Sequence, residues 1–244
     1  MNYKAVLQYD GTRYRGWQTQ GNTDNTIQGK LETLLTKMAG EPVEVNGSGR
    51  TDAGVHAAGQ VISFRCKTKE SPEEICRYMN EYLPEDIAVL TVEEAAPRFH
   101  ARLNAVRKTY VYRIWNAPVR NVFRRRFTTW IQKPLDLDAM EQAATLLCGT
   151  HDYRAFCSLK KFKKSTVRTI EKIEIGKMGQ EIRISYTGDG LLYHMVRILT
   201  GTLVEVGLGL RKPEEMTEIL EGQDRTKAGR LMPPEGLTLE SVEY

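Results

Sequence analysis

One succession of segments (strand, helix, strand, strand, helix, strand) runs through this chain twice, and few folds accommodate it. In the first pass "YKAVLQYD" (3–10) alternates apolar and polar residues as a strand does. "TIQGKLETLLTKM" (26–38) sets Ile27, Leu31, Leu34, Leu35 and Met38 on one helical face. "EPVEVNG" (41–47) and "GQVISFRC" (59–66) read as strands. "SPEEICRYMNEYL" (71–83) opens as a helix should, with Ser71 as cap, Pro72 at the first helical position and Glu74 completing a capping box. "DIAVLTVEEA" (86–95) closes the pass as a strand.

The second pass begins with the strand "RKTYVYRIWN" (107–116). "DLDAMEQAATLLC" (136–148) follows, with Met140, Ala143, Ala144 and Leu147 at helical spacing behind a capping Asp136. "TVRTIEKIEIGKM" (166–178) and "EIRISYTG" (181–188) read as strands joined by a short turn. "LLYHMVRILTGTLVEV" (191–206) reads as a helix, "KPEEMTEILEG" (212–222) as an extra helix opened by Pro213, and "GLTLESVEY" (236–244) as a closing strand. The division falls near residue 104 and predicts an N-terminal domain, 1–104, and a C-terminal domain, 105–244. The expected fold class is α+β: two ferredoxin-like (βαββαβ) halves packed around a shared antiparallel sheet with a central cleft.

Composition narrows the function. The 244 residues are 41% hydrophobic, enough for a packed core. The longest apolar candidate for a membrane span, "LLYHMVRILTGTLVEVG", is interrupted by His194 and Arg197. The N-terminal "MNYKAVLQYD" lacks the apolar centre of a signal peptide, so a cytoplasmic location is expected. Cys66, Cys76, Cys148 and Cys157 form no C-x-x-C pair and read as reduced thiols. The four histidines have no H-E-x-x-H spacing, and Asp52 with His56 supplies only two ligands, so no metal site is expected. Net charge is +4. It is concentrated in "RNVFRRRF" (120–127) and "KKFKKSTVR" (160–168), two basic runs with interleaved phenylalanines. Such runs are either solvated surface or a nucleic-acid track.

The stretch "NGSGRTDAGVHAAGQ" (46–60) holds Arg50, Asp52 and His56 among small residues between two strand-like segments. It lacks the lysine of a phosphate-binding P-loop. It also has Asp52 where a dinucleotide loop needs its third glycine. Two readings remain. In one, Asp52 caps a tight turn and pairs with Arg50. In the other, Asp52 is a nucleophile: Arg50 and Asp52 project to one side of an extended segment, the guanidinium keeps the carboxylate ionised, and small neighbours admit a bulky substrate.

"GRTDAGVHAAGQV" closely resembles the signature of the TruA family of tRNA pseudouridine synthases. "YDGTRYRGWQTQ", "TIQGKLE", "FHARLNAVRKTYVYRIWN", "HDYRAF" and "GDGLLYHMVRILTGTLVEVG" fall in that family's order, so the resemblance spans nearly the whole chain. It implies an isomerase that converts uridine to pseudouridine in the anticodon stem-loop of tRNA, at positions 38, 39 and 40, with no cofactor. It implies a homodimer in which one tRNA contacts both subunits. By place in the motifs, Asp52 is the catalytic aspartate, Tyr110 the tyrosine that stacks on the target uracil, and Arg197 the partner of the carboxylate. Arg50 is the arginine that holds or replaces the extruded nucleotide. His56 and His194 lie in matching blocks and are expected to make structural hydrogen bonds. Leu191, Leu231 and Met232 depart from the family pattern and bear on the cleft wall. The rival readings are a non-catalytic RNA-binding protein and a phosphate-handling enzyme.

Overall fold

The computed structural model describes residues 1–244 as ten β-strands and five α-helices. In chain order these are β1 (Asn2–Tyr9), α1 (Ile27–Ala39), β2 (Val45–Gly47), β3 (His56–Arg65), α2 (Pro72–Tyr82) and β4 (Ile87–Glu94). Then come β5 (Arg107–Asn116), β6 (Thr129–Ile131), α3 (Leu137–Leu146), β7 (Gly149–Asp152), β8 (Val167–Met178) and β9 (Glu181–Gly188). The chain ends with α4 (Met195–Gly207), α5 (Glu215–Gly222) and β10 (Leu237–Glu243). It divides into two compact units, Met1–Val106 with Thr238–Tyr244, and Arg107–Leu237. No helix is long and apolar enough to cross a membrane.

In the first unit β1 lies between β3 and β4 and runs antiparallel to both. The far edge of β3 is shared. β2 pairs with Ile62–Phe64, and β10 runs parallel to β3 at His56 and Ala57. The chain between β2 and β3 therefore leaves the sheet at the point where β3 changes partner. Alternate residues of β1 (Tyr3, Ala5, Leu7 and Tyr9) are buried, as a sheet face covered by helices requires. Helix α1 turns Ile27, Leu31, Leu34 and Leu35 inward, each buried side chain contributing about 1.5–3 kcal/mol. Thr26 caps its start, and Gly40 ends it in the left-handed region at φ 69°. The capping box of α2 is present, with Ser71 and Glu74 bonded reciprocally.

In the second unit the strand order is β5–β9–β8–β7, antiparallel throughout, with β6 parallel to β5. Helix α4 packs against α3 and β5 and is buried almost all round, which explains its nearly continuous apolar sequence. It starts at Met195 rather than Leu191. Residues 191–194 form a turn that ends with His194 in the left-handed region, φ 65°, so the apolar run Leu191–Tyr193 is not helical. The strands β6 and β7 are too short to carry a period in sequence.

Candidate active site

Asp52 sits on the connection between β2 and β3, and three braces hold that connection. Thr51 turns inward, with its hydroxyl 2.8 Å from the Tyr9 hydroxyl on β1. Gln60, fully buried on β3, accepts from Ser48 Oγ at 2.6 Å and donates to the Gly49 carbonyl at 2.9 Å. The Trp17 N–H donates to the Thr51 carbonyl at 3.0 Å, and the Val55 N–H closes a turn onto the Asp52 carbonyl at 3.1 Å. With Thr51 inward, the chain alternation leaves Arg50 exposed and Asp52 half-buried. The two charged residues thus flank the anchored one. His56 is buried at the start of β3, and its Nδ1 accepts from the Gly11 N–H at 3.0 Å.

Small residues are needed where the 11–17 segment crosses this connection. Gly16 has φ +97°, and a Cβ there would lie 2.9 Å from the Thr51 carbonyl and 3.2 Å from the Ala53 nitrogen. A methyl on Gly11 would overlap the Val55 carbonyl. Gly16 and Gly11 both lie in "YDGTRYRGWQTQ", so that block serves as the brace of the Asp52 connection.

Tyr110 and Arg197 belong to the second unit, on β5 and on the first turn of α4. Tyr110 is buried and registers opposite Tyr186 of β9, whose hydroxyl lies 2.8 Å from Thr200 Oγ1 on α4. Arg197 is buried too. Its Nε donates to the Met232 carbonyl at 2.7 Å, and the Met232 N–H returns to the Arg197 carbonyl at 3.3 Å. The neighbouring Tyr112 donates to the Pro233 carbonyl at 2.7 Å, so its proton from Thr129 arrives from the other side. Burial pushes the Tyr112 phenol far above its usual range and keeps it a donor.

The 231–234 segment was not legible as part of this arrangement. It contributes carbonyls, and carbonyls leave no residue-type signal. Met232, one of the departures from the family pattern, acts here through its main chain, and Leu231 is partly exposed. Leu191 is half-buried in the turn before α4.

Both basic runs are exposed on the second unit. Arg120 stacks over Trp130 at 4.5 Å, Arg124 pairs with Glu181, and Phe123 is 93% exposed. Lys160, Lys161, Lys163 and Lys164 are exposed, with Arg154 over Phe162 at 5.3 Å. The four cysteines form no disulfide, and burial pushes the thiols of Cys66, Cys148 and Cys157 up. No three His, Cys, Asp or Glu side chains come together as a metal-binding group.

A family model described as tRNA pseudouridine synthase matches residues 5–104 and 143–244. The chain is 48% identical to the "tRNA pseudouridine synthase A" of Bacillus sp. (strain KSM-64), covering 100% of this chain and 99% of that protein. It is 46% identical to the protein of the same name from Brevibacillus brevis, covering 99% and 98%. Against "tRNA pseudouridine synthase A 1" of Clostridium tetani it is 44% identical, covering 100% and 99%. A match of this depth over the full length places the chain in the TruA family of tRNA pseudouridine synthases, isomerases that modify tRNA.

Proposed function

We propose that this protein isomerises uridine to pseudouridine at one or more of positions 38, 39 and 40 in the anticodon stem-loop of tRNA, with Asp52 as the catalytic carboxylate. The reaction breaks the bond from ribose carbon 1′ to uracil nitrogen 1 and joins carbon 1′ to carbon 5. Carbon 5 loses a proton and nitrogen 1 gains one. Atoms and electrons balance within the nucleoside, so the chemistry calls for no oxidant, reductant or group donor.

The observation that carries this reading is the bracing of Thr51. It ties the residue between Arg50 and Asp52 to strand β1, with Arg50 exposed and Asp52 half-buried. A carboxylate that either attacks the ribose or assists departure of the base must be held to within a fraction of an ångström. Tyr110 stacks on the target uracil, and its hydroxyl assists removal of the carbon 5 proton. Arg197 counters the charge of the carboxylate. Arg50 fills the place of the extruded nucleotide, offsetting part of an unstacking cost of about a few kcal/mol. The basic runs at 120–127 and 160–168 form the electrostatic track for the tRNA. We read each unit as a ferredoxin-like half. The order β4–β1–β3 with β2 beyond β3 supports this for the first, and β5–β9–β8 for the second. The enzyme acts as a cytoplasmic homodimer, one tRNA touching both subunits.

The test is tritium release from tRNA labelled at uracil carbon 5. Wild type should turn over. Asp52→Ala should lose at least about 10³-fold of that rate while still binding tRNA. Binding by wild type with no turnover would identify an RNA-binding protein that kept the fold without the chemistry.

A further inference from the structure

The first unit carries a cleft of about 420 Å³, and Asp52 does not line it. Its floor is one face of the sheet. Asn2 of β1 registers with Arg65 of β3, and Ser63 of β3 registers with Asn46 of β2. Ser63 and Arg65 are two apart on β3, so the period of two sets Asn2, Asn46, Ser63 and Arg65 on the same face, and Glu44 lines the cleft from just before β2. Its roof is the segment after β4, which carries Arg98, Phe99 and His100.

This roof is tied down by the floor. Asn2 Nδ2 donates to the carbonyls of Ala96 and Phe99 at 2.8 and 3.0 Å. Ser63 Oγ accepts from the Ala101 N–H at 3.0 Å, and Arg65 Nη2 donates to the Pro97 carbonyl at 3.0 Å. His100 is locked as well. Its N–H donates to Asn104 Oδ1 at 2.8 Å, and its Nδ1 accepts from the Arg102 N–H at 3.1 Å. An accepting Nδ1 puts the proton of the neutral ring on Nε2, which makes His100 a second donor beside the arginines. Two guanidinium groups and this ring line a cleft whose lining holds one carboxylate, Glu44. A site of oriented donors with a positive balance selects an anion with several acceptor oxygens.

We propose that this cleft binds a phosphate of the tRNA backbone, at a contact separate from the reacting nucleotide. The proposal rests on the tRNA reading above for the identity of the ligand, and on the cleft itself for its chemistry. The volume takes a phosphate with part of its sugar, and the rigid roof holds the donors in place before RNA arrives.

Two measurements test it. Imidazole nitrogen NMR, with the His100 signal assigned through His100→Gln, follows titration with inorganic phosphate against chloride at matched ionic strength. A shift at His100 on adding phosphate is expected, and unmodified tRNA transcript alone should shift the same signal and leave it insensitive to added phosphate. A His100 signal blind to phosphate overturns the site, and one that tRNA neither shifts nor protects from phosphate overturns the RNA assignment. Separately, tRNA affinity is measured against salt. Arg98→Glu should weaken binding several-fold and reduce the salt slope by about one. Glu44→Gln should tighten binding. Arg77→Glu makes the same charge change as Arg98→Glu on the exposed side of α2 and should leave the slope nearer wild type. Equal effects of Arg98→Glu and Arg77→Glu, or no tightening by Glu44→Gln, overturn the proposal. If wild type shows these binding signatures but never isomerises uridine, the proposed function fails and the phosphate site stands.

Discussion

The hydroxyls of Tyr9 and Thr51 lie 2.8 Å apart inside the first unit, so the residue between Arg50 and Asp52 is anchored to strand β1. Tyr9→Phe removes the anchor without changing the packed ring. It should cost about 1–2 kcal/mol of stability, because the Thr51 hydroxyl is left buried without this partner. The effect on turnover should be larger, since a misplacement of about 1 Å at a reacting group costs on the order of 10²-fold. Tritium release and thermal unfolding on the same preparation separate the two. Wild-type turnover in Tyr9→Phe would show that Asp52 does not depend on this anchor.

Gly16 supports the same connection from the outside. At φ +97°, with the Thr51 carbonyl and Ala53 nitrogen within 3.2 Å of an added Cβ, Gly16→Ala meets both backbone strain and a main-chain clash. The expected destabilisation exceeds about 1 kcal/mol. The displaced group would be the main chain of residues 51–53, so turnover should fall more than the melting temperature suggests. Gly21→Ala, where an added Cβ meets nothing within 4 Å, is the matched control and should leave both unchanged.

The elements with a clear period are readable in the amino-acid sequence. Helix α1 announced itself through Ile27, Leu31, Leu34 and Leu35, and α2 through Ser71, Pro72 and Glu74. What was not readable shares one cause, that main-chain geometry leaves no mark on residue type. His194 takes the left-handed conformation and puts the start of α4 at Met195, four residues later than the sequence pattern places it, and nothing in "LLYHMV" signals it. The strands β6 and β7 span three and four residues, no more than two periods of alternation. In the candidate site, the motif pointed to Asp52 and Arg50. The roles of Tyr9 and Gln60 in holding them came only from the fold, because a buried tyrosine and glutamine look alike in any strand.

Arg197 and Met232 exchange two hydrogen bonds, one through the Arg197 side chain and one between main chains. The identity of residue 232 should therefore matter only for packing. Met232→Leu keeps volume and carbonyl, should cost less than about 1.5 kcal/mol and should leave turnover intact. Arg197→Lys keeps the charge but loses the Nε donor and the planar fork, and lysine cannot reproduce either at a buried site. Turnover should drop at least about tenfold while tRNA affinity holds, a split read from steady-state rates against filter binding. Equal rates for wild type and Arg197→Lys would reduce Arg197 to a point charge.

The acid limb of stability should carry a signature of the α2 cap. The Ser71 backbone N–H donates to Glu74 at 2.8 Å and holds its carboxyl below the usual glutamate range. A carboxyl depressed in the folded state favours folding above its unfolded pKa, and that contribution disappears as pH falls through the depressed value. Glu74→Gln keeps the geometry of the capping box and removes the charge. Near neutral pH the wild type should melt above Glu74→Gln, because the charge also faces the positive end of the helix. As pH falls through and below the glutamate range the two melting curves should converge, since the protonated carboxyl then resembles the amide. A gap in melting temperature that stays constant down to low pH would mean the difference comes from packing, and the charged cap would lose its role.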